Sequence, residues 1–210
     1  REIELLLSHQ HYRLVDWRRA NQLVNYRRFF AINELIGIRQ EDPEVFAATH
    51  VLVAELARDE RVAGFRVDHV DGLRDPGGYL RQLRDRVDAN GRRHVIEVEK
   101  ILARDEALLD WPVEGTTGYD VAAVITGVLL DPDGVRSVAR EYAEATGDAR
   151  PFVERAVQCK RDAERTMFPG SVDAVTHQLA ALGVAADLAE LRTAVESLTA
   201  QLEVYRTYRQ

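Results

Sequence analysis

Gly64-Phe65-Arg66-Val67-Asp68-His69-Val70-Asp71-Gly72 is the stretch around which the chain is organised. An apolar approach from Val62 runs into alternating charge and ends at a glycine. A short buried strand of a parallel sheet reads this way, with its polar residues gathered at the C-terminal end. Side chains alternate along a strand, so Arg66 and Asp68 share a face. His94-Val95-Ile96-Glu97-Val98-Glu99-Lys100 is a second run of the same kind. Between the two, Pro76 to Asn90 reads as one helix. Asp75 before Pro76 is its start signal, Tyr79, Leu80, Leu83 and Val87 are its apolar stripe, and Asn90-Gly91 is its stop. The three pieces predict a β-α-β unit, which places both strand exits at one edge of the sheet.

Acids stand at both exits. Neighbouring strands lie about 4.8 Å apart, so carboxylates at Asp68 and Glu99 would be about 5 Å apart. A retaining glycosidase uses such a separation, with one carboxylate as nucleophile and the other as acid/base. A plainer role fits the same residues: Asp68, Asp71 and Glu99 would cap loops and pair with Arg66 and Lys100. Spacing alone leaves both readings open. Glu97 shares a face with Glu99 but lies one layer deeper, level with Arg66 in simple register. There it is expected to be a buried carboxylate with Arg66 as partner.

The rest of the chain narrows the classes. Its 210 residues are 46% hydrophobic and 30% charged, as in a water-soluble globular protein. A net charge of -7 argues against general nucleic-acid binding, which needs a basic face. The longest apolar run, Val121 to Leu130, is too short to span a bilayer. A single cysteine, Cys159, cannot form an internal disulfide, which fits a reducing, cytoplasmic setting. The chain begins Arg1-Glu2-Ile3 and its one methionine is Met167, so it reads as a section of a longer protein or a processed one.

Element signals outside the central unit are as follows. Residues 1–9 have helical spacing, and Asn25-Tyr26-Arg27-Arg28-Phe29-Phe30 suits a strand or a binding loop. Asp42-Pro43 starts a helix expected to reach Arg58, with Val45, Phe46, Thr49, Val53 and Leu56 inward. Ile101 to Leu109 is expected to be a short helix, and Trp111 to Gly118 a loop. Beyond Tyr119 the pattern is all-helical: a buried helix at 121–130, a turn at 131–134, then helices near 135–145, 152–167, 172–182 and 187–202. His50 and His177 fall within helix patterns as ordinary residues. Asp68-His69 and Asp71 are metal-ligand types, but on a strand His69 points away from Asp68, so no metal is expected. Gly115-Thr116-Thr117-Gly118 lacks the Gly-Lys-Ser/Thr end of a phosphate loop, and no Gly-x-Ser-x-Gly is present.

Gly64-Phe65-Arg66-Val67-Asp68 resembles the Gly-x-Arg-x-Asp motif on the fourth strand of the α-amylase superfamily of glycoside hydrolases. That superfamily usually continues with a Lys-His pair. His69-Val70-Asp71-Gly72-Leu73 departs from it and is similar to the trehalose-forming members. So are Asn25 to Phe30, Val98-Glu99-Lys100-Ile101-Leu102, Gly115 to Asp120 and Tyr205-Arg206-Thr207-Tyr208.

The resemblance implies an α/β, helix-rich chain: residues 1–118 as part of a (β/α)8 TIM barrel, 119–204 as an all-helical insertion, and 205–210 returning toward the barrel. It implies an intramolecular transglucosylation that turns the reducing-end α-1,4 bond of a maltooligosaccharide into an α,α-1,1 bond. Asp68 would be the nucleophile, Glu99 the acid/base, and Arg66 the residue that holds the nucleophile. Substrate contacts would come from Arg66, His69, Asp71, Lys100, Tyr119, Tyr205 and Arg206, with His69 and Asp71 on the released glucose. The alternative for Asp71 is a cap on the Gly72 turn. No cofactor or metal is implied. The partners implied are the maltooligosaccharide and a trehalose-releasing hydrolase that takes the product, with no nucleic acid or membrane. The superfamily's third catalytic Asp and early strands have no counterpart here, so this section alone is expected to be inactive. An amylase-like hydrolase and a non-catalytic carbohydrate-binding section are the competing readings.

Overall fold

A computed structural model describes residues 2–184 and 187–208. In chain order the elements begin with α1 (Glu2–Ser8), α2 (Ala20–Leu23), α3 (Pro43–Thr49), α4 (Val51–Leu56) and β1 (Gly64–Val67). Then come α5 (Pro76–Val87), β2 (Val95–Val98), β3 (Gly115–Thr116), α6 (Tyr119–Leu129) and α7 (Pro132–Thr146). The last three are α8 (Phe152–Thr166), α9 (Pro169–Ala181) and α10 (Leu188–Ala200). The result is helix-rich with one small parallel sheet, and it divides into two compact units. One holds residues 1–37 and 150–201, the other 38–149 and 202–210.

The second unit contains the sheet, in the order β1-β2-β3 with every pair parallel. Gly64 stands opposite Val95, Arg66 opposite Glu97 and Val67 opposite Val98. Alternation divides the faces. Ile96 and Val98 are fully buried, whereas Val95 and Glu97 on the other face are exposed. α5 covers the buried face with Tyr79, Leu80, Leu83 and Val87, the stripe read from spacing. Asp75 caps it by accepting from the Gly78 N–H at 2.8 Å. Phe46, Ala57 and Val70 complete this core, with Phe65 and Val67 packed against it. Leu80 and Leu83 are buried so fully that truncating either to Ala should cost about 2–5 kcal/mol. Gly64 sits where no side chain fits, since a Cβ there would lie 2.4 Å from the Val95 carbonyl oxygen.

The first unit packs α8, α9 and α10 together, with α2 against α9. Ala20, Val172, Leu191, Val195 and Ala200 are among its buried residues, and Arg165 and Arg192 both hold buried Glu196. Cys159 is exposed on α8.

Several local expectations need correction. The helix from Pro43 stops at Thr49 and a second begins at Val51. That break turns the stripe, so His50 and Ala57 are buried while Thr49 and Leu56 are exposed. His50 is no ordinary helix residue: it stacks on Phe46 and meets the Tyr79 hydroxyl at 3.0 Å. Residues 101–109 are not helical. They fold around Glu106, which accepts from the Ala103 N–H at 3.0 Å. Gly115-Thr116, taken as loop, is the third strand. Asp131 to Gly134 is the capped first turn of α7 rather than a free turn, with Pro132 in first position. α6 was expected to be buried, but Val121, Val124, Ile125, Val128 and Leu129 are exposed among the described residues. Asn25 to Phe30 forms a loop with one isolated antiparallel bridge, Arg28 to Ile36.

Candidate active site

The parallel pairing puts Asp68 and Glu99 one position past β1 and β2. The ladder continues there, with the Glu99 N–H donating to the Val67 carbonyl at 2.8 Å. The two acids therefore emerge side by side at the C-terminal edge, where parallel α/β sheets carry their ligand sites. Glu99 is half-buried and held. One carboxylate oxygen accepts the backbone N–H of His69 at 2.9 Å, and the other faces the Tyr119 hydroxyl at 3.5 Å. Asp68 is open, with a side chain 64% exposed and an ion pair to Arg66 at 3.4 Å. Arg66 is 60% exposed, so the pair orients the carboxylate but adds little stability.

Glu97 lies level with Arg66, as simple register requires. It is not the buried carboxylate that was expected. The sheet face that carries it is uncovered among the described residues, so water solvates Glu97 and Arg66 turns to Asp68 instead.

The turn after β1 explains how a backbone N–H reaches Glu99. His69 adopts left-handed backbone geometry at φ 51°, which swings its N–H toward β2. Val70–Gly72 then forms one turn of 3-10 helix. The His69 ring lies over Gly72, where an added Cβ would come within 2.4 Å of it. Gly72 is a glycine because the ring occupies that space.

Asp71 and Lys100 meet beneath this turn. The Lys100 ammonium, 2% exposed, lies 3.4 Å from Asp71 and 3.0 Å from Glu106. The Tyr208 hydroxyl donates to Asp71, and the Tyr208 ring lies under the ammonium at 5.7 Å. Arg206 donates to the carbonyls of Asp71 at 2.8 Å and Leu73 at 2.5 Å. Of the residues assigned to substrate contact, Asp71, Lys100 and Arg206 are thus engaged with protein groups. Tyr119 reaches Glu99, and Tyr205 is 63% exposed. Burial would raise the Glu106 carboxyl, but the Ala103 N–H and Lys100 outweigh it and hold it below its ordinary value. Burial, then the Asp71 carboxylate, push the Tyr208 phenol well up, so it stays a donor.

Glu106 and Tyr208 were missed by sequence reasoning. Tyr208 stood inside a quoted motif, and a lysine following a buried strand calls for an acidic partner, but nothing in the spacing singles out Glu106. Among the described residues no group of His, Cys, Asp or Glu side chains is placed to hold a metal ion. No helix among them is long and apolar enough to cross a membrane. Chemically, an exposed carboxylate beside an oriented one suits attack on an acetal carbon with proton transfer to the leaving oxygen.

No protein-family model matches the chain. Two curated proteins from Mycobacterium tuberculosis strains, each described as a putative maltooligosyl trehalose synthase, are 52% identical over 143 residues. That match takes in 64% of this chain but 18% of theirs. The solved maltooligosyltrehalose synthase from Arthrobacter ramosus superposes with a TM-score of 0.86 at 40% identity, over 98% of this chain and 26% of that one. A hypothetical maltooligosyl trehalose synthase from Sulfolobus tokodaii gives 0.78 at 34% identity, over 100% of this chain and 26% of its own. The chain thus spans less than a fifth of its curated relatives and about a quarter of the solved structures.

Proposed function

We propose, on the premise that this chain matches a section of the maltooligosyl trehalose synthases, that it supplies two carboxylates of such an enzyme. Its three strands are part of a (β/α)8 barrel, and the helices after Tyr119 are an insertion into it. The reaction is a retaining double displacement. Asp68 attacks the anomeric carbon at the reducing-end α-1,4 bond, and Glu99 protonates the departing glucose oxygen. Glu99 then takes the proton from O1 of the same glucose, which attacks the glycosyl-enzyme to give the α,α-1,1 bond. Arg66 keeps Asp68 oriented, and Tyr119 bears on the far oxygen of Glu99. The product is non-reducing, and a hydrolase that releases trehalose from it is the partner its chemistry calls for.

The observation that carries this reading is the pairing at the strand exits: an open Asp68 beside a Glu99 held by the His69 N–H. The test is made in the full-length protein with maltopentaose, following loss of reducing ends and the products. Asp68→Asn should lower turnover by several orders of magnitude, because no covalent intermediate can form. Glu99→Gln should stop turnover of maltopentaose yet spare the fluoride burst from a maltosyl fluoride, whose leaving group needs no proton. Glu97→Gln should retain activity. Free glucose and short maltodextrins as main products would assign an amylase-like hydrolase instead. Activity of Asp68→Asn within tenfold of the parent would overturn the reading.

A further inference from the structure

The acid/base is held by a backbone group, so whatever fixes that backbone fixes the acid. Five contacts hold the turn that carries His69, and none involves the reacting pair. Asp71 is anchored through its side chain by buried Lys100 and by the Tyr208 hydroxyl, and through its carbonyl by Arg206. Arg206 also holds the Leu73 carbonyl, and Gly72 is pinned beneath the His69 ring. Lys100 follows Glu99 directly in the chain. One ion pair therefore ties the residue after the acid/base to the turn whose N–H binds it. We propose, building on the assignment of Glu99 above, that Asp71 is a positioning residue, which with Lys100 and Tyr208 holds the His69 N–H against the Glu99 carboxylate.

The physical case rests on geometry and burial. A left-handed non-glycine residue such as His69 is held by its surroundings rather than by preference. The charges that hold it are nearly dry, with the Lys100 side chain 2% and the Asp71 side chain 8% exposed. A charge pair so desolvated responds strongly to loss of one member. The raised phenol of Tyr208 keeps its proton on the Asp71 side, so the hydroxyl works as a fixed donor. Both Asp71 carboxylate oxygens face protein groups in this arrangement, Oδ1 the Tyr208 hydroxyl and Oδ2 the Lys100 ammonium.

The test separates positioning from simple support. In the full-length protein, Asp71→Asn and the milder Tyr208→Phe are compared with Glu99→Gln on two substrates, maltopentaose and a maltosyl fluoride. Asp71→Asn should lower kcat on maltopentaose by about 100-fold, the scale of a misplaced catalytic group, with KM little changed. Its fluoride burst should stay within about threefold of the parent, because a displaced acid matters only where the leaving group needs a proton. Tyr208→Phe should give the same pattern, about tenfold in kcat, since it removes one neutral donor. Equal losses on both substrates in folded Tyr208→Phe would overturn the proposal, as would no loss in either variant. A Glu99→Gln protein that loses the fluoride burst would instead overturn the assignment of Glu99, and the positioning role with it.

Discussion

At the entry end of β2, Arg84 lies 8% exposed and spends its guanidinium on the Pro112 and His94 carbonyls, Asp88 and Glu114. Glu114 in turn accepts the Ile96 N–H at 2.7 Å and an ion pair from Arg93 at 2.9 Å. Asp88 accepts the His94 N–H at 3.0 Å. At the exit end, Asp68 keeps one loose ion pair, and one oxygen of Glu99 has only a long contact to Tyr119. Both ends are rich in charge. The first ties Arg84, Asp88 and Glu114 into one network, with the buried His94 Nε2 left without a partner among the described residues, and so fixes where the strands start. The second leaves acceptor positions open at the edge proposed as the site. A dense network of charged groups suits scaffold, and carboxylates with few partners at a strand exit suit a site.

The largest expected effect comes from breaking the entry end. Arg84→Ala should cost about 2–4 kcal/mol by denaturant unfolding, since it removes a buried guanidinium shared by the His94 and Pro112 carbonyls and by two partly exposed carboxylates. A loss below 1 kcal/mol would mean the network is no scaffold. Gly64→Ala comes next, at about 1–3 kcal/mol, because the added methyl would press on the Val95 carbonyl at 2.4 Å.

Glu114→Gln is smaller and carries a pH signature. Burial alone would raise this carboxyl, but the Ile96 N–H, Arg84 and Arg93 bring it from 4.5 down to about 2. A carboxyl lowered in the folded state adds stability that is complete above pH 4.5 and is lost as pH falls toward 2. Its side chain is 33% exposed, so solvent screening reduces the contribution to about 1–2 kcal/mol. Glu114→Gln should lower stability at pH 7 by that amount and flatten the acid limb of the stability profile. An unchanged acid limb would remove Glu114 from the scaffold. The smallest effect belongs to the open end. Asp68→Asn should leave stability within about 0.5 kcal/mol, whatever it does to turnover. A loss of several kcal/mol there would erase the contrast between the two ends.

The sequence made local order legible. Short apolar runs with polar residues gathered at their C-terminal ends located β1 and β2, and the 3.6 stripe with its Asp75-Pro76 start located α5. Register followed from simple alignment, so Arg66 does stand level with Glu97. Burial was harder to read, because it depends on what covers a face rather than on the face itself. Glu97 and α6 were both expected inside and are exposed for that reason. β3 has only two residues, too few to show a period. The pairing of acids with Arg66 and Lys100 was one of the two readings left open, and Asp71 does meet Lys100. Tyr208 was hidden differently: it lies far from Lys100 along the chain, and no local pattern announces a long-range contact.

The Tyr208–Asp71 hydrogen bond joins residues 137 positions apart. Between them run β2, β3 and every helix from α5 to α10. In polymer terms the bond closes a ring of that contour, and drawing the ends of an open chain so close costs about 4 kcal/mol of entropy. A single hydroxyl contact cannot meet that cost. The intervening helices must already have shortened the path. The clasp should therefore form late in folding and let go early under strain, with unfolding rate more sensitive than folding rate to Tyr208→Phe.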